Sequence, residues 1–300
     1  MKIYTNRPNE NWICDRIQSE FVEFNPAIST PFIEKSDLAW IIAPWMFRNY
    51  GMLKERKSIF SIYHITPSKF NKGKLLSINN HASAIHTICD KTRDFIKDYV
   101  DKPIIVEPFW INQNIWFPLD KSACREELNL PKDSFIIGSF QRDTEGGDLK
   151  SPKLEKGPDQ FCDIVENMHK DKPVHILLGG WRRQYIIKRM EDAKIPYTFM
   201  DRPPFDVLNK MYNSLDLYIV SSRFEGGPQS IPECAATKTP IISTNVGCAE
   251  AYLSPESIFN FPNHNESQPN CDFAFEKAKE KFLPNGFNSY LKMFEKVLSL

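Results

Sequence analysis

Two glutamates eight positions apart, Glu225 and Glu233, bracket the middle of the segment SSRFEGGPQSIPECAATKTPIIST (221–244). A carboxylate accepts hydrogen bonds from paired hydroxyls. One glutamate in a glycine-containing loop and a second on the following helix can therefore hold a polyol from two sides. The backbone N–H groups at the start of that helix favour an anion. A plainer role is open for each residue. Ser230-Ile-Pro-Glu233 has the form of a capping box, so Glu233 can be a structural cap, and Glu225 can be a solvated loop charge. An anion bound here would need local cations, because 38 basic side chains balance 38 acidic ones and leave a formal net charge of zero. The same neutrality removes the broad positive field that nucleic-acid binding rests on.

Other chemistries lack their residues. The seven cysteines are widely spaced and contain no C-x-x-C, which supports neither a disulfide framework nor a zinc finger and points to a reducing, cytoplasmic setting. His81 and His86 are five apart, off the i, i+4 spacing of a helical metal pair. There is no P-loop, no G-x-S-x-G and no G-x-G-x-x-G. Trp12, Trp45, Trp110 and Trp116 could stack on sugar rings, but tryptophans in α/β domains are mostly core. MKIYTNRPNE has no apolar leader region, and no run approaches the ~18 apolar residues of a membrane span. The expectation is a soluble protein, with peripheral membrane contact left open.

The elements that must position these residues follow from periodicity. The 300 residues suffice for two domains, and 41% apolar with 25% charged residues is ordinary globular composition. Short apolar runs alternate with helical segments, the pattern of parallel sheets flanked by helices. Strands are predicted at 2–5, 38–43, 58–63, 85–89 and 103–107, with helices at 9–23 and 92–100. After an aperiodic stretch at 106–118, strands are predicted at 134–139, 173–178, 195–200, 215–220 and 240–243. Helices fall near 158–169, 182–193, 204–213, 230–237, 272–283 and 286–299. In such sheets, ligands bind beyond the carboxyl ends of the strands.

Glu225-x7-Glu233 with Gly226 and Gly227, then Ala235-Ala236, Thr239-Pro240-Ile241-Ile242, Val246-Gly247 and Glu250, resembles the signature of the retaining glycosyltransferases of family 4, also called group 1, which have the GT-B fold. IIGSFQRD (136–143) with Glu155-Lys156-Gly157 resembles the first strand of that family's donor domain and its basic pair. HILLGGW (175–181) resembles the next strand and its glycine turn, and LNKMYNSLDLYIVSSRFEGG (208–227) the approach to the glutamates. The likeness covers roughly 119–260.

What the resemblance implies is specific. The fold would be α/β, GT-B, with two Rossmann-like doubly wound domains facing across a cleft. Residues 1–118 would form a minimal acceptor-side domain, 119–284 the nucleotide-sugar domain, and 285–300 a helix packing back toward the first. Glu225 would contact donor-sugar hydroxyls and Glu233 the ribose. Arg142 and Lys156 would meet the departing diphosphate, a bidentate fork and a point charge. Fourteen positions separate them because TEGGDLKSP intervenes, so Lys150 or Lys153 could take the lysine role, and the insertion reads as a mobile loop able to close over the donor. The diphosphate would also meet the helix start near Gln229 and Ser230, and the base would lie near Met200 and Arg202. Gly180, Gly226 and Gly227 complete the donor set. His64, at the end of a strand, would stand near the reacting centre. The loop TNRPNENW has no glycine, and Arg7 and Asn9 could replace the missing backbone contacts. The implied activity is metal-independent, cofactor-free transfer of a sugar from a nucleotide-diphosphate sugar to a glycan, lipid or other hydroxyl, with retention. The alternatives are a non-catalytic nucleotide-sugar or glycan-binding protein and an inverting transferase on the same fold.

Overall fold

A computed structural model of the chain describes residues 1–10 and 13–300. Asn11 and Trp12, inside the predicted first helix, lie outside the described residues. The chain forms two compact units, Met1–Trp110 with Pro284–Leu300, and Ile111–Leu283.

The first unit is built on a six-stranded parallel sheet of β1 (Ile3–Thr5), β2 (Ser29–Thr30), β3 (Leu38–Ile41), β4 (Lys57–Ile62), β5 (Ala84–Thr87) and β6 (Ile104–Val106), in the order β2-β1-β3-β4-β5-β6. Helices α1 (Ile13–Phe24), α2 (Lys72–His81) and α3 (Asp90–Ile96) connect them, and the last helix of the chain, Asn288–Leu298, belongs to this unit. Its core is aromatic. Trp40 of β3 meets Phe21 of α1 at 5.7 Å, and Tyr290 and Phe294 of the last helix at 5.2 and 5.5 Å between ring centroids. The four-residue spacing of Ile17, Phe21 and of Tyr290, Phe294 puts each pair on one helical face, and all four are buried.

A polar thread runs through this core. His86 of β5 has Nδ1 2.8 Å from the Ser61 hydroxyl and Nε2 2.8 Å from the Glu107 carbonyl. The carbonyl can only accept, so Nε2 carries the proton and Nδ1 accepts from Ser61, whose oxygen in turn accepts from Trp40 Nε1 at 2.9 Å. Burial holds the His86 pKa down at about 4, and the ring is neutral.

The second unit repeats the architecture with β7 (Phe135–Ser139), β8 (Val174–Gly180), β9 (Tyr197–Asp201), β10 (Leu217–Val220), β11 (Ile241–Thr244) and β12 (Ile258–Phe259), all parallel, in the order β12-β11-β10-β7-β8-β9. Its helices are α4 (Lys121–Glu127), α5 (Pro158–Asp171), α6 (Gln184–Ala193), α7 (Phe205–Asn213), α8 (Ser230–Thr237), α9 (Ala249–Tyr252) and α10 (Cys271–Lys279). Apolar clusters cover both faces of the sheet, one around Tyr212, Tyr218 and Ile231, the other around Phe161, Val165 and Ile176. That is why these strands read as continuous apolar runs. The chain starts this sheet at its middle, moves outward through β8 and β9, then returns to the other side of β7 with β10. The switch point is therefore between β7 and β10, and the loops that leave their carboxyl ends are 140–157 and 221–229.

Both sheets have one strand more than the sequence predicts. β2 and β12 are two residues long and too short for periodicity to register. Helices α2, α4 and α9 also escape that reading. The segment 106–118 is not a free linker throughout, because Ile111 bridges Phe282 in parallel fashion and donates its N–H to Lys281 O at 2.8 Å.

Candidate active site

The loop after β10 and the turn before α5 are fastened to each other. Arg223 and Phe224 donate their N–H groups to Glu155 O at 2.9 and 3.1 Å, and Ser221 Oγ donates to Gly157 O at 2.8 Å. Arg223 adds a forked ion pair to Asp159, at 2.7 and 2.6 Å. Gly157 makes the approach possible. It sits at φ +61°, and a Cβ there would lie 1.8 Å from Ser221 O. Gly247 does the same on the other side of the loop, where a Cβ would lie 2.3 Å from Gly226 O. The Lys-Gly and Val-Gly pairs in the sequence are thus close-approach positions for the 221–227 loop.

This fastening brings Lys156 to Glu225. The ammonium and carboxylate form a direct hydrogen-bonded ion pair, with 19% and 8% of the side chains exposed. Of the three candidate lysines, Lys156 is the one paired to Glu225. Lys153 pairs with Glu155 at 3.6 Å, and Lys150 is exposed on the insertion, its N–H given to Asp148.

Arg142 stands on the adjacent loop. Its Nε donates to Thr144 O at 2.8 Å, and its guanidinium lies over the Trp181 ring, 5.2 Å from the centroid. Among the described residues, nothing accepts a hydrogen bond from its terminal amino groups. The insertion that separates Arg142 from Lys156 is an internally bonded turn: Thr144 bridges Pro152 in antiparallel fashion, Glu145 N–H meets Ser151 O at 2.9 Å, and Asp148 accepts from Ser151 Oγ at 2.8 Å.

Beneath Arg142 is a group that the sequence does not single out. Arg183 and Asp143 form an ion pair at 2.8 Å with side chains 0% and 1% exposed. Arg183 also donates to Ser139 O and Oγ and to Gly179 O, tying together the carboxyl ends of β7 and β8. Asp143 and Thr144 then accept from Tyr185 N–H at the start of α6. Every strong charge in this node is met, as burial requires. The only sequence signal was two arginines following a strand, which reads as surface.

The remaining donor candidates fall into two groups. Gly180, Met200 and Arg202 lie together at the ends of β8 and β9: Met200 pairs with Gly179, and Arg202 donates its N–H to Gly180 O at 3.2 Å while its side chain pairs with Asp201. Gln229 and Ser230 lie at the start of α8 with Glu233 one turn in. The helix boundary is Gln229, which provides no side-chain cap, so Ser230 is not the capping residue of a capping box. Glu233 is buried and accepts from the Tyr212 hydroxyl at 2.8 Å, and burial with the nearby Glu233 charge holds the Tyr212 pKa well above the usual phenol range. The Ser230 hydroxyl meets Tyr218, whose hydroxyl accepts from Phe140 N–H at 2.9 Å.

His64 is in the first unit, exposed, two residues beyond β4. In the loop after β1, Asn9 takes φ +57°, which turns its N–H and that of Glu10 onto Asp15, each at 2.8 Å, while Arg7 lies 3.8 Å from the same carboxylate. Among the described residues no three His, Cys, Asp or Glu are grouped to hold a metal ion, and no helix is long and apolar enough to cross a membrane.

Residues 147–268 match the family model described as glycosyl transferases group 1. No curated protein matches the sequence. Among solved structures, HepE of Anabaena, crystallised with UDP and glucose, is similar at 12% identity and a TM-score of 0.78, with 100% of each chain covered. Sucrose-phosphate synthase from Thermosynechococcus elongatus is similar at 14% identity and 0.71, over 95% of this chain and 77% of that one. TarM of S. aureus follows at 14% and 0.64, over 89% and 55%. The group 1 match and the pair of six-stranded parallel sheets make this chain a glycosyltransferase with the GT-B fold.

Proposed function

We propose that the chain transfers a sugar from a nucleotide-diphosphate sugar to a hydroxyl acceptor, with retention of anomeric configuration and without a metal. The observation that carries this reading is the placement of Lys156, Glu225 and the open guanidinium of Arg142 on the two loops that flank the β7–β10 switch point. Cleaving the bond between the sugar and the β-phosphate leaves negative charge on the diphosphate. Two oriented cations facing it lower the barrier directly. In the retaining route the C1–O bond to phosphate breaks, the acceptor oxygen bonds C1 on the same face, and the acceptor proton passes to the departing phosphate oxygen. Glu225 fixes donor-sugar hydroxyls, Glu233 takes the ribose, Gln229 and Ser230 offer the helix start to the diphosphate, and Met200, Arg202 and Gly180 border the base. Gly226 and Gly227 let the loop approach the sugar.

Structures of the similar HepE hold UDP and UDP-glucose, and one of TarM holds UDP with a glycan, which supports a nucleotide-sugar donor and a glycan acceptor here. We place the reaction in the cytoplasm, with lipid-linked acceptors and peripheral membrane contact as further partners. The test is incubation of the full chain with a panel of sugar nucleotides and saccharide acceptors in excess EDTA, reading nucleotide release and product anomer. Transfer with retention in EDTA is expected. Tight nucleotide-sugar binding without release would favour the binding-protein reading, and an inverted anomer would favour the inverting one.

A further inference from the structure

Trp181 exposes 37% of its surface, unusual for an indole directly beyond a buried strand, and two guanidinium groups lie over it: Arg142 at 5.2 Å and Arg182 at 5.0 Å from the ring centroid. The two arginines are held from different directions. Arg142 is tied through Nε to Thr144 O. Arg182 takes φ +55°, gives Nη1 to Gly146 O at 2.8 Å in the insertion, and receives Asp143 and Thr144 N–H groups on its own carbonyl at 3.2 Å each. The indole is the surface on which the catalytic-loop arginine and the insertion meet.

We infer that Trp181 is a positioning residue for Arg142: its ring, with the single Nε bond, fixes the guanidinium plane so that the two terminal amino groups are presented as a preformed fork for a diphosphate. The inference rests on the proposed role of Arg142 as a diphosphate ligand. A long arginine side chain on the surface samples many rotamers, and a bidentate contact requires one of them. Contact with the indole face restricts that freedom before the ligand arrives, and uses only the π-face and Nε, leaving the fork unspent. Arg182 extends the same platform to the insertion. Displacement of the 145–151 turn is therefore felt at Arg142 through one indole.

The experiment is calorimetric titration of the full chain with UDP and with UMP, for wild type, Trp181→Ala, Trp181→Phe, Arg142→Ala and the Arg142→Ala/Trp181→Ala double variant. Trp181→Ala is expected to weaken UDP about fivefold, the scale of one partly exposed cation–π contact, and to leave UMP within a factor of two. Trp181→Phe should recover most of the loss, because a face remains for the guanidinium. In the Arg142→Ala background Trp181→Ala should change nothing further, which a merely structural tryptophan would not reproduce. Equal weakening of UDP and UMP, or a loss that persists without Arg142, would mean that Trp181 touches the ligand itself and overturns the inference. So would an unchanged Trp181→Ala alongside a weakened Arg142→Ala. Failure of the functional reading looks different: wild type does not bind UDP, or Arg142→Ala binds it normally.

Discussion

Glu225→Gln and Lys156→Ala should move nucleotide affinity in opposite directions while both stop transfer. In the structure the two groups neutralise each other, with 8% and 19% of their side chains exposed. When a diphosphate arrives, Lys156 gains a second anion, and Glu225 becomes a like charge beside it. Removing the carboxylate charge frees the lysine and lifts that repulsion, so Glu225→Gln should bind UDP several-fold more tightly. Lys156→Ala leaves only the repulsion and should bind UDP about tenfold or more weakly, the scale of one charged hydrogen bond at ~1.5–3 kcal/mol. Both should slow transfer about a hundredfold, since an oriented group lost from the transition state costs on the order of 3 kcal/mol. Stability should separate them as well. Lys156→Ala strands a mostly buried carboxylate, a cost of ~2–3 kcal/mol, whereas glutamine still offers Lys156 an acceptor. For a unit of this size that is a fall in Tm of ~5–10 °C for Lys156→Ala and a smaller one for Glu225→Gln. Calorimetric UDP titration, donor turnover and thermal scans on the same preparations decide it. If Glu225→Gln weakens UDP as much as Lys156→Ala does, the two side chains act as one structural clamp and the division of roles proposed for them is wrong.

Gly157→Ala should be among the most damaging single-methyl changes in the chain, because the Cβ would sit 1.8 Å from Ser221 O on a left-handed backbone; loss of turnover with a Tm fall of ~5 °C or more is expected, and normal activity would remove the close approach from the argument. His86 is neutral when folded, with its pKa held at about 4 by burial, so stability should be full above pH ~6.5 and fall by up to ~3 kcal/mol as pH drops from there toward 4. Urea titrations of wild type and His86→Gln across that range check it: the slope should flatten in the variant. Alkylation of the native protein should reach Cys271 first, since the other six cysteines are buried and burial pushes Cys14 up to about 12. Peptide mapping after brief iodoacetamide treatment reads this directly.

Much of the architecture was legible because parallel strands buried on both faces are continuous apolar runs. Helices such as Ile13–Phe24 and Asn288–Leu298 kept a clean apolar face. Two-residue edge strands carry no period, and α2, with the sequence KGKLLSINNH, has a glycine in its first turn and a weak apolar face, so they were not. At the candidate site, the x7 spacing singled out Glu225, and the family resemblance singled out a lysine among Lys150, Lys153 and Lys156. The sequence could not show that Lys156 and Glu225, sixty-nine positions apart, meet, because that contact depends on the Glu155 carbonyl receiving the N–H groups of Arg223 and Phe224. On the plainer of its two sequence readings, Glu225 is a solvated loop charge whose removal should not touch stability. The pair reverses that expectation. The capping-box form of Ser230–Glu233 misled for a related reason: the chain enters α8 one residue earlier, and Tyr212, on a different helix, provides a hydroxyl for the glutamate.

The Arg183–Asp143 node explains how an enzyme with no net charge can hold cations in register at one edge of a sheet. A buried ion pair contributes little to stability, and apolar residues of similar volume commonly serve a core as well or better. Its value here is directional. Four acceptors around Arg183 fix Ser139, Gly179 and Asp143 relative to one another, and Asp143 with Thr144 fixes the start of α6. Arg142 and Trp181 each adjoin a member of that node, and Lys153 donates its N–H to Asp143 O at 2.7 Å where the insertion rejoins the fold. Both ends of the loop that separates Arg142 from Lys156 therefore leave from one rigid point. A leucine pair could fill the same space, but it would not tell the backbone where to go. The electrostatic cost of the node is met by its own hydrogen bonds, and the result is a fixed base under Arg142, whose fork no residue of the described chain occupies.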